Sequence, residues 1–262
     1  MRSSAALNLA TLGPFDLEQK LYAASRAGFA AVGLSREEVA EAGEQGIEEL
    51  HMSDLSVAEL TGCDDWMEPS RTARALALVQ AEETFRLAAQ LGCSVVIAWP
   101  RCREFDPVAA AAHFSELCRT AEPFAVRVGL EFIGQSRDVG NLEIAWEIVE
   151  AAEQANGGLV IDSFHFHRGG STVEMLEPVP AEKIFLVQVS DAPPLPLREL
   201  DDGHRIYPGS GAIALEPLLA ALRGKGYSGY YSLELHNEAY WQEDPMVVAT
   251  EALRSMQRLD IV

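Results

Sequence analysis

The sequence predicts an α/β fold, a closed (β/α)8 barrel of parallel strands that takes up residues 1–262 as one domain. Short apolar runs alternate with longer amphipathic stretches along the whole chain, which is typical of strands that alternate with helices. Such an order needs right-handed crossovers and therefore a parallel sheet. The length matches one barrel of this class. No Gly-x-Gly-x-x-Gly follows the first run, which disfavours an open dinucleotide-binding sheet.

Eight apolar runs are predicted to be the strands of this barrel. Breaker residues end several of them, such as Gly13-Pro14 after the first and Pro100 after the fourth. The third run has the weakest pattern, and we place it where a helical stretch gives way to apolar residues. The predicted strands are 5–10, 30–34, 51–57, 94–99, 126–133, 159–162, 184–189 and 230–235.

Helices are predicted between these strands from capping residues and apolar periodicity. Asp16 suits the start of the first helix, Asp106-Pro107 the start of the fourth, and Gly92 the end of the third. The predicted helices cover 16–28, 37–49, 70–91, a stretch from 106 onward, 141–156, 173–176, 215–225 and 245–259. A loop over 191–211, rich in Pro and charge, is too long to be a mere connection, so we expect it to carry function.

The charge balance limits the class of partner. The chain has 20 Lys and Arg against 40 Asp and Glu, for a net charge of −20. So acidic a protein would be repelled by a polyphosphate backbone, and we predict no nucleic-acid partner. A small anionic substrate stays compatible, because local cations can reverse the field inside a pocket.

The chain gives no sign of a membrane or of the secretory route. It contains no run of uncharged apolar residues long enough to span a bilayer, and its first residues do not form a signal peptide. The four cysteines form no Cys-x-x-Cys pair, which argues against a zinc ribbon or a disulfide scaffold. We therefore expect a cytoplasmic protein with no membrane partner. A homodimer is possible, although no surface pattern requires one.

Four strong oxygen ligands stand near the ends of the last four predicted strands. They are Glu131, Asp162, Gln188 and Glu234. A single carboxylate at a strand end is commonly a helix cap or an ion-pair partner, but function in this fold collects where the carboxyl ends of the strands meet. Converging carboxylates repel one another unless a cation compensates them, and hard divalent cations prefer oxygen ligands. The pattern therefore predicts one divalent metal ion held by these four residues, with Gln188 as the weakest ligand.

Several short segments resemble the xylose-isomerase-like barrel superfamily, from about residue 126 to the C-terminus. The resemblance is faint before residue 94. This superfamily contains sugar and sugar-phosphate isomerases, ketose 3-epimerases, inosose-processing enzymes and 3-dehydroshikimate dehydratases. The segments are Gly129-Leu130-Glu131, Asp162-Ser163-Phe164-His165, Val187-Gln188-Val189-Ser190-Asp191, Arg205-Ile206-Tyr207-Pro208-Gly209-Ser210-Gly211 and Ser232-Leu233-Glu234.

The resemblance implies a divalent-metal-dependent sugar or sugar-phosphate isomerase or epimerase. It places the same four residues on the family's metal ligands, with Mn²⁺ favoured over Mg²⁺, Co²⁺ or Zn²⁺. The reaction would pass through a metal-stabilised enediolate of a polyhydroxylated carbonyl substrate. Glu131 and Glu234 would also carry the proton on the two faces of that substrate.

Three further residues are candidates for substrate contacts. The resemblance places His165 on a substrate-contacting histidine, which could polarise a carbonyl or protonate a leaving hydroxyl, and Arg205 on a substrate-binding arginine. Trp99, at the end of the fourth predicted strand, could stack on a sugar face, and a plain core or rim aromatic is an equal interpretation. His236 is expected to be a partner of Glu234 rather than a ligand.

A lyase like 3-dehydroshikimate dehydratase is the main alternative. Sugar epimerases of the superfamily usually have His where this chain has Gln188, and Gln resembles the dehydratase branch. That branch, however, tends to have a basic residue after the third strand, and residues 56–66 contain neither Arg nor Lys. A repair nuclease like endonuclease four would need three metals and a basic face, against six histidines and a charge of −20 here. A barrel that binds a ligand without turnover is disfavoured by the four retained ligands.

Overall fold

The computed structural model describes residues 5–101 and 105–261. Over these residues the strands form a closed barrel in which each strand pairs in parallel with its neighbours in the chain and the last pairs with the first. The predicted fold class is therefore confirmed. The strands are β1 (Ala5–Asn8), β2 (Ala31–Ser35), β3 (Ser56–Cys63), β4 (Val95–Ala98), β5 (Arg127–Glu131), β6 (Gly157–Asp162), β7 (Ile184–Val189) and β8 (Tyr231–Leu233).

The helices begin at the capping residues that the sequence suggests. Asp16 accepts the backbone N–H of Gln19, and Asp106 accepts those of Val108 and Ala109. Within the described ranges no helix has the length and apolar character needed to cross a membrane. The helices are α1 (Leu17–Ala27), α2 (Arg36–Met52), α3 (Arg71–Gln90), α4 (Pro107–Ala121), α5 (Leu142–Ala152), α6 (Ser163–Arg168), α7 (Leu215–Lys225) and α8 (Pro245–Arg258).

The third strand lies later in the chain than predicted, so its placement at 51–57 is wrong. Helix α2 starts at a capping box between Ser35 and Glu38 and continues through His51 and Met52. Strand β3 then covers Ser56–Cys63 and carries buried Glu59 in its middle. Its pairing shifts register against both neighbouring strands, so the apolar alternation that marks a regular strand is broken here.

The connection after β6 also differs from the prediction. The short helix predicted at 173–176 is present as a 3-10 helix, but the α-helix of this connection is α6, which follows β6 without a gap and was not predicted. Asp162 ends the strand and caps this helix, because its Oδ1 accepts the backbone N–H of His165 over 2.7 Å. The first turn of α6 therefore holds His165 close to the end of β6.

Alternation along the strands separates the barrel interior from the helix-facing core. A small apolar cluster includes Ala6, Val160 and Leu186, whereas Leu159, Ile161 and Val187 belong to the larger core cluster. Side chains two positions apart on a strand share a face. Asn8, Asp162 and Gln188 therefore face the interior, one layer nearer the carboxyl ends of the strands than the small cluster.

The loop after β7 is anchored by a single buried carboxylate, Asp191. Its Oδ1 accepts the backbone N–H groups of Ala192 and Ile213, and its Oδ2 accepts those of Gly209 and Gly211, all within 3.0 Å. An antiparallel bridge also joins Asp191 to Ile206. These contacts fold the long loop back onto the barrel and bring Arg205 to its mouth.

Candidate functional site

Three buried carboxylates meet where the carboxyl ends of the strands converge. Glu131 ends β5, Asp162 ends β6 and Glu234 directly follows β8. One oxygen of each lies within 4.8 Å of the others. Carboxylate oxygens at this spacing can hold a divalent cation, because together they supply charge and hard oxygen ligands. The structure thus brings together three of the four residues predicted as ligands.

Gln188, the fourth predicted ligand, lies on β7 beside Asp162 in the strand register. Its Nε2 donates a hydrogen bond of 3.1 Å to Oε2 of Glu59. Its Oε1 is buried and has no hydrogen-bond partner among the described residues. A buried acceptor without a partner is costly, and a bound cation would satisfy it. Three carboxylates and an orphaned amide oxygen therefore fit a divalent metal ion.

Arg205 places a permanent positive charge inside the acidic cluster. Only 1% of the residue is exposed, and its Nη1 donates to Oδ2 of Asp162 over 2.6 Å. The same nitrogen lies 3.6 Å from Oε2 of Glu234. Nε and Nη2 both donate to Oδ1 of Asp202, over 3.1 and 3.0 Å. Arg205 therefore neutralises part of the cluster, and all of its guanidinium nitrogens are engaged by the protein.

Glu131 and Glu234 differ in their affinity for a proton. Burial and the negative charges of Glu234 and Asp162 raise the pKa of Glu131 well above its ordinary value. Burial acts in the same direction on Glu234, but the hydrogen bond and charge of His236, together with Arg205, lower its pKa below the ordinary value. His236 lies 3.5 Å from Glu234 and acts as its partner, as predicted from the sequence. Two carboxyls with separated pKa values suit the roles of acid and base.

His165 lies against this cluster in its neutral form. Burial lowers the pKa of its imidazole, and Nη2 of Arg205 donates to its Nε2 over 3.2 Å. The ring proton therefore belongs on Nδ1, which is buried and has no hydrogen-bond partner within 5–101 and 105–261. Nε2 also lies 3.6 Å from Oε1 of Glu131. The predicted residue thus lies within reach of one of the predicted proton carriers.

Trp99 has a polar contact as well as an aromatic face at the site. Its indole N–H donates to Oε2 of Glu131 over 2.8 Å, and the guanidinium of Arg101 lies 5.3 Å from its ring centre. Two cavities, of about 850 and 750 Å³, meet at this point and share Trp99, Glu234 and His236 in their walls. The carboxylate cluster can therefore be approached from both sides of Trp99.

Sequence reasoning missed Glu59 and Asn8. Oε1 of Glu59 accepts from Asn8 Nδ2 over 3.1 Å and from Ser232 Oγ over 2.7 Å. Burial and the charge of Glu234 raise the pKa of Glu59 to about 8, although hydrogen bonds from Ser232 and Asn8 lower it in part. The available signal was a lone carboxylate within Val57-Ala58-Glu59-Leu60, which the misplaced third strand put outside the sheet.

Known proteins resemble this chain in sequence and in structure. The inosose isomerase of Halalkalibacterium halodurans is 42% identical over 142 residues, which are 54% of this chain and 49% of that protein. The 3-dehydroshikimate dehydratase of Pseudomonas aeruginosa is 33% identical over 188 residues, 70% of this chain and 30% of that protein. This chain thus spans about half of the first relative and less of the second. A crystal structure of the IolI protein with a bound zinc atom superposes with a TM-score of 0.91 at 26% identity, over 97% of each chain.

The family assignment depends on more than these partial alignments. The family model described as xylose isomerase-like TIM barrel matches residues 21–259, which include every predicted ligand and both residues that the sequence resemblance implicated in substrate contacts. The matched range also covers β2 to β8, so it begins about a hundred residues before the segments after residue 126 that carry the sequence resemblance. The chain belongs to the xylose isomerase-like TIM barrel family.

Proposed function

We propose that this protein is a sugar isomerase or epimerase that acts on a polyhydroxylated carbonyl compound with one bound divalent metal ion. The observation that carries the proposal is the cluster of Glu131, Asp162 and Glu234, whose oxygens lie within 4.8 Å of one another at the barrel mouth. The names of the inosose isomerase relatives and the zinc in the IolI structure support it. Both activity and metal dependence are proposals for this chain.

The residues that would hold the metal are Glu131, Asp162, Gln188 and Glu234. When bound, a divalent cation supplies Lewis acidity that stabilises the negative oxygen of an enediolate. The donor set is all oxygen, which suits Mn²⁺ and Mg²⁺, and Co²⁺ and Zn²⁺ also accept such ligands. We retain Mn²⁺ as the first ion to test.

Glu131 and Glu234 would move the proton between the carbon atoms next to the carbonyl. The lowered pKa of Glu234 suits removal of a proton by its carboxylate, and the raised pKa of Glu131 suits return of one. His165 lines the same cavity, with its Nε2 3.6 Å from Oε1 of Glu131, and would contact the substrate on that side of its ring.

Arg205 and Trp99 would act at the edge of the same cavity. Because the guanidinium of Arg205 already binds Asp162 and Asp202, we propose that it holds Asp162 and His165 in place, and a substrate oxygen would share its donors. Trp99 would offer its ring to a sugar face while its N–H fixes Glu131.

Proton exchange with solvent tests this function directly. Purified protein, stripped of metal and then loaded with Mn²⁺, Mg²⁺, Co²⁺ or Zn²⁺, is incubated with inososes and ketoses in D₂O. We expect deuterium at the carbon next to the carbonyl only with metal present. Glu131→Gln and Glu234→Gln should each lower the exchange rate about 10²- to 10⁴-fold, the usual contribution of a general acid or base. Glu238→Gln is the matched control, because Glu238 is an exposed carboxylate in the wall of the same cavity. Exchange that survives both Glu→Gln changes would refute the proton-carrier roles.

A dehydratase is the second candidate, favoured by the relative from Pseudomonas aeruginosa and by the amide at position 188. In that reaction the same proton removal is followed by loss of a hydroxyl, which would take its proton from Glu131, whose raised pKa keeps one available. The product from 3-dehydroshikimate is conjugated and absorbs ultraviolet light. A rise in absorbance with this substrate, without deuterium exchange into inososes, would favour the lyase over the isomerase.

A further inference from the structure

We propose that the second cavity at the barrel mouth binds an uncharged, hydroxyl-bearing arm of the substrate and excludes a phosphate group there. This cavity, of about 750 Å³, meets the cavity that holds His165 and Arg205 at Trp99 and Glu234. That its occupant is the arm of a substrate rests on the proposed function. The preference for hydroxyl groups over phosphate rests on the wall of the cavity itself, to which neither the sequence resemblance nor the relatives assign a role.

Thr61 presents a buried hydroxyl to the second cavity. It lies on β3 two positions after Glu59, so its side chain shares the interior face of the strand. The residue is 9% exposed and lines the cavity wall. Its hydroxyl has no hydrogen-bond partner among the residues that the structure describes. A buried hydroxyl without a partner costs free energy, and a ligand hydroxyl can both donate to it and accept from it.

Ser35 connects Thr61 to a buried ion pair in the same wall. Ser35 pairs with Thr61 in the register of β2 and β3, and its hydroxyl and backbone N–H both donate to Oε2 of Glu38. The other oxygen of Glu38, Oε1, accepts from Nζ of Lys20 over 2.6 Å. The ion pair therefore joins the first turns of α1 and α2 beside the Thr61 hydroxyl.

This ion pair leaves the second cavity without a positive charge that is available to an anion. Lys20 is the one Lys or Arg in its wall, within the part of the chain that the structure describes, and Glu38 already neutralises it. Asp16 and Glu41 add negative charge to the same wall, and His236 is engaged by the carboxylate cluster, 3.5 Å from one of its oxygens. A phosphate group in this cavity would meet more carboxylates than free cations.

A hydroxyl group finds better partners in the same place. An ammonium group has three N–H donors, and Lys20 uses one of them on Glu38. Lys20 is only 5% exposed, so its remaining donors have little access to bulk water. Together with the hydroxyl of Thr61, they can bind the oxygen atoms of a polyol without the need for a charge on the ligand.

The test uses two probes that cannot react, D-glucitol and D-glucitol 6-phosphate, because neither has a carbonyl group to enolise. Each is titrated into the metal-free protein labelled with ¹⁵N. The indole N–H signal of Trp241, identified by its loss in Trp241→Phe, reports on the second cavity, since Trp241 lines that cavity and is absent from the described wall of the first. We expect D-glucitol to shift this signal and D-glucitol 6-phosphate to leave it in place.

The contact with Thr61 is tested by a matched pair of variants. Thr61→Val keeps the shape of the side chain and removes its hydroxyl, so the dissociation constant of D-glucitol should rise about 2- to 10-fold, as for the loss of one hydrogen bond. Thr61→Ser keeps the hydroxyl and should stay within about twofold of the unaltered protein. Equal affinities in all three proteins would overturn the contact.

Glu38→Gln tests the exclusion of phosphate. Gln also forms a capping box with Ser35, so the start of α2 is kept while Lys20 loses its counter-charge. D-glucitol 6-phosphate should then shift the Trp241 signal, with an affinity at least about 10-fold above that of the unaltered protein. Glu41→Gln is the matched control, because it removes one negative charge from the same wall and leaves the ion pair intact. An equal gain in both variants would mean that net charge alone sets the preference.

The outcomes separate this inference from the proposed function. A Trp241 signal that D-glucitol does not move, or that both probes move with equal affinity, overturns the inference even where deuterium exchange into sugars is observed. If the probes behave as expected but no sugar exchanges, the polyol cavity is supported and the isomerase function fails. If Glu38→Gln does not fold, the two Thr61 variants and the choice of the unaltered protein between the probes decide.

Discussion

The indole N–H of Trp99 donates a 2.8 Å hydrogen bond to Oε2 of Glu131. Trp99 directly follows β4 and Glu131 ends β5, so the contact joins the ends of two neighbouring strands. Burial and neighbouring negative charges raise the pKa of Glu131, and this hydrogen bond opposes them because it stabilises the charged form of the carboxyl. Trp99 is thus a determinant of the protonation of Glu131 as well as a wall of the cavity.

Replacing Trp99 by Phe should move the pH dependence of the reaction. The change keeps an aromatic ring but removes the donor, and the pKa of Glu131 then rises further because its carboxylate form loses a hydrogen bond. Because Glu131 returns the proton and must hold it to do so, the alkaline limb of the kcat/KM profile should shift to higher pH. Trp241→Phe is the control, since Trp241 lies in the neighbouring cavity and donates to the carbonyl of Ala10 instead. Equal profiles for all three proteins would contradict the role of this hydrogen bond.

Removing the charge of Arg205 should destabilise the fold strongly. Arg205→Met leaves Asp162 buried without its cation, and breaking a buried ion pair in this way costs about 3–5 kcal/mol. The free energy of unfolding from urea titration measures the loss. Arg254→Ala removes an exposed ion pair with Glu251 and should change stability by about 1 kcal/mol or less. Similar losses in both variants would mean that Arg205 does not hold the site together.

Asp191→Asn should loosen the loop after β7. Each oxygen of Asp191 accepts two backbone N–H groups. In Asn only the amide oxygen can accept, so two of these four N–H groups would lose their acceptor. We expect faster hydrogen exchange at Gly209, Gly211 and Ile213 and a loss of stability of about 1–3 kcal/mol from unpaired backbone donors. Asp201→Asn, an exposed change in the same loop, should leave these amides protected. Unchanged exchange in Asp191→Asn would show that the loop is held by other contacts.

Gly33→Ala should destabilise the protein because the new methyl group meets the carboxyl of Glu59. Overpacking of this kind typically costs about 1–3 kcal/mol. Gly224→Ala is the matched control, since nothing lies within 4 Å of a Cβ atom there and the residue lies in α7. That change should be neutral or stabilising by up to about 1 kcal/mol. In a Glu59→Ala background the cost of Gly33→Ala should fall, and additive costs would show that the two residues do not compete for space.

The fold class and the family were predictable because they depend on features that the sequence displays openly. Eight alternations of apolar and amphipathic stretches suffice for the barrel. Glu131 and Asp162 each end a clear apolar run, and the structure brings them together with Glu234. That these residues bind metal stays a prediction, because the proximity of carboxylates shows only that a cation can fit.

The remainder of the site depends on tertiary contacts that a linear pattern does not reveal. Strand β3 was misplaced because a polar residue faces the barrel interior and its register shifts against both neighbours, which removes the expected alternation. Arg205 reaches Asp162 across 43 residues of sequence, through a loop that is shaped by Asp191. Neither the register of β3 nor the contact between Arg205 and Asp162 follows from the spacing of residues along the chain. The same reason explains why Asn8, in a part of the chain with little visible resemblance, was not recognised as a neighbour of Glu234.

The close fit between Gly33 on β2 and the carboxyl of Glu59 on β3 also bears on how related barrels diverge. A glycine at position 33 and a carboxylate at position 59 share one volume, so neither residue can change freely without the other. In related chains we expect a bulkier side chain at the first position to accompany a smaller one at the second, which would appear as covariation in a deep alignment. Attempts to transplant this arrangement into another scaffold would have to move both strands as a unit.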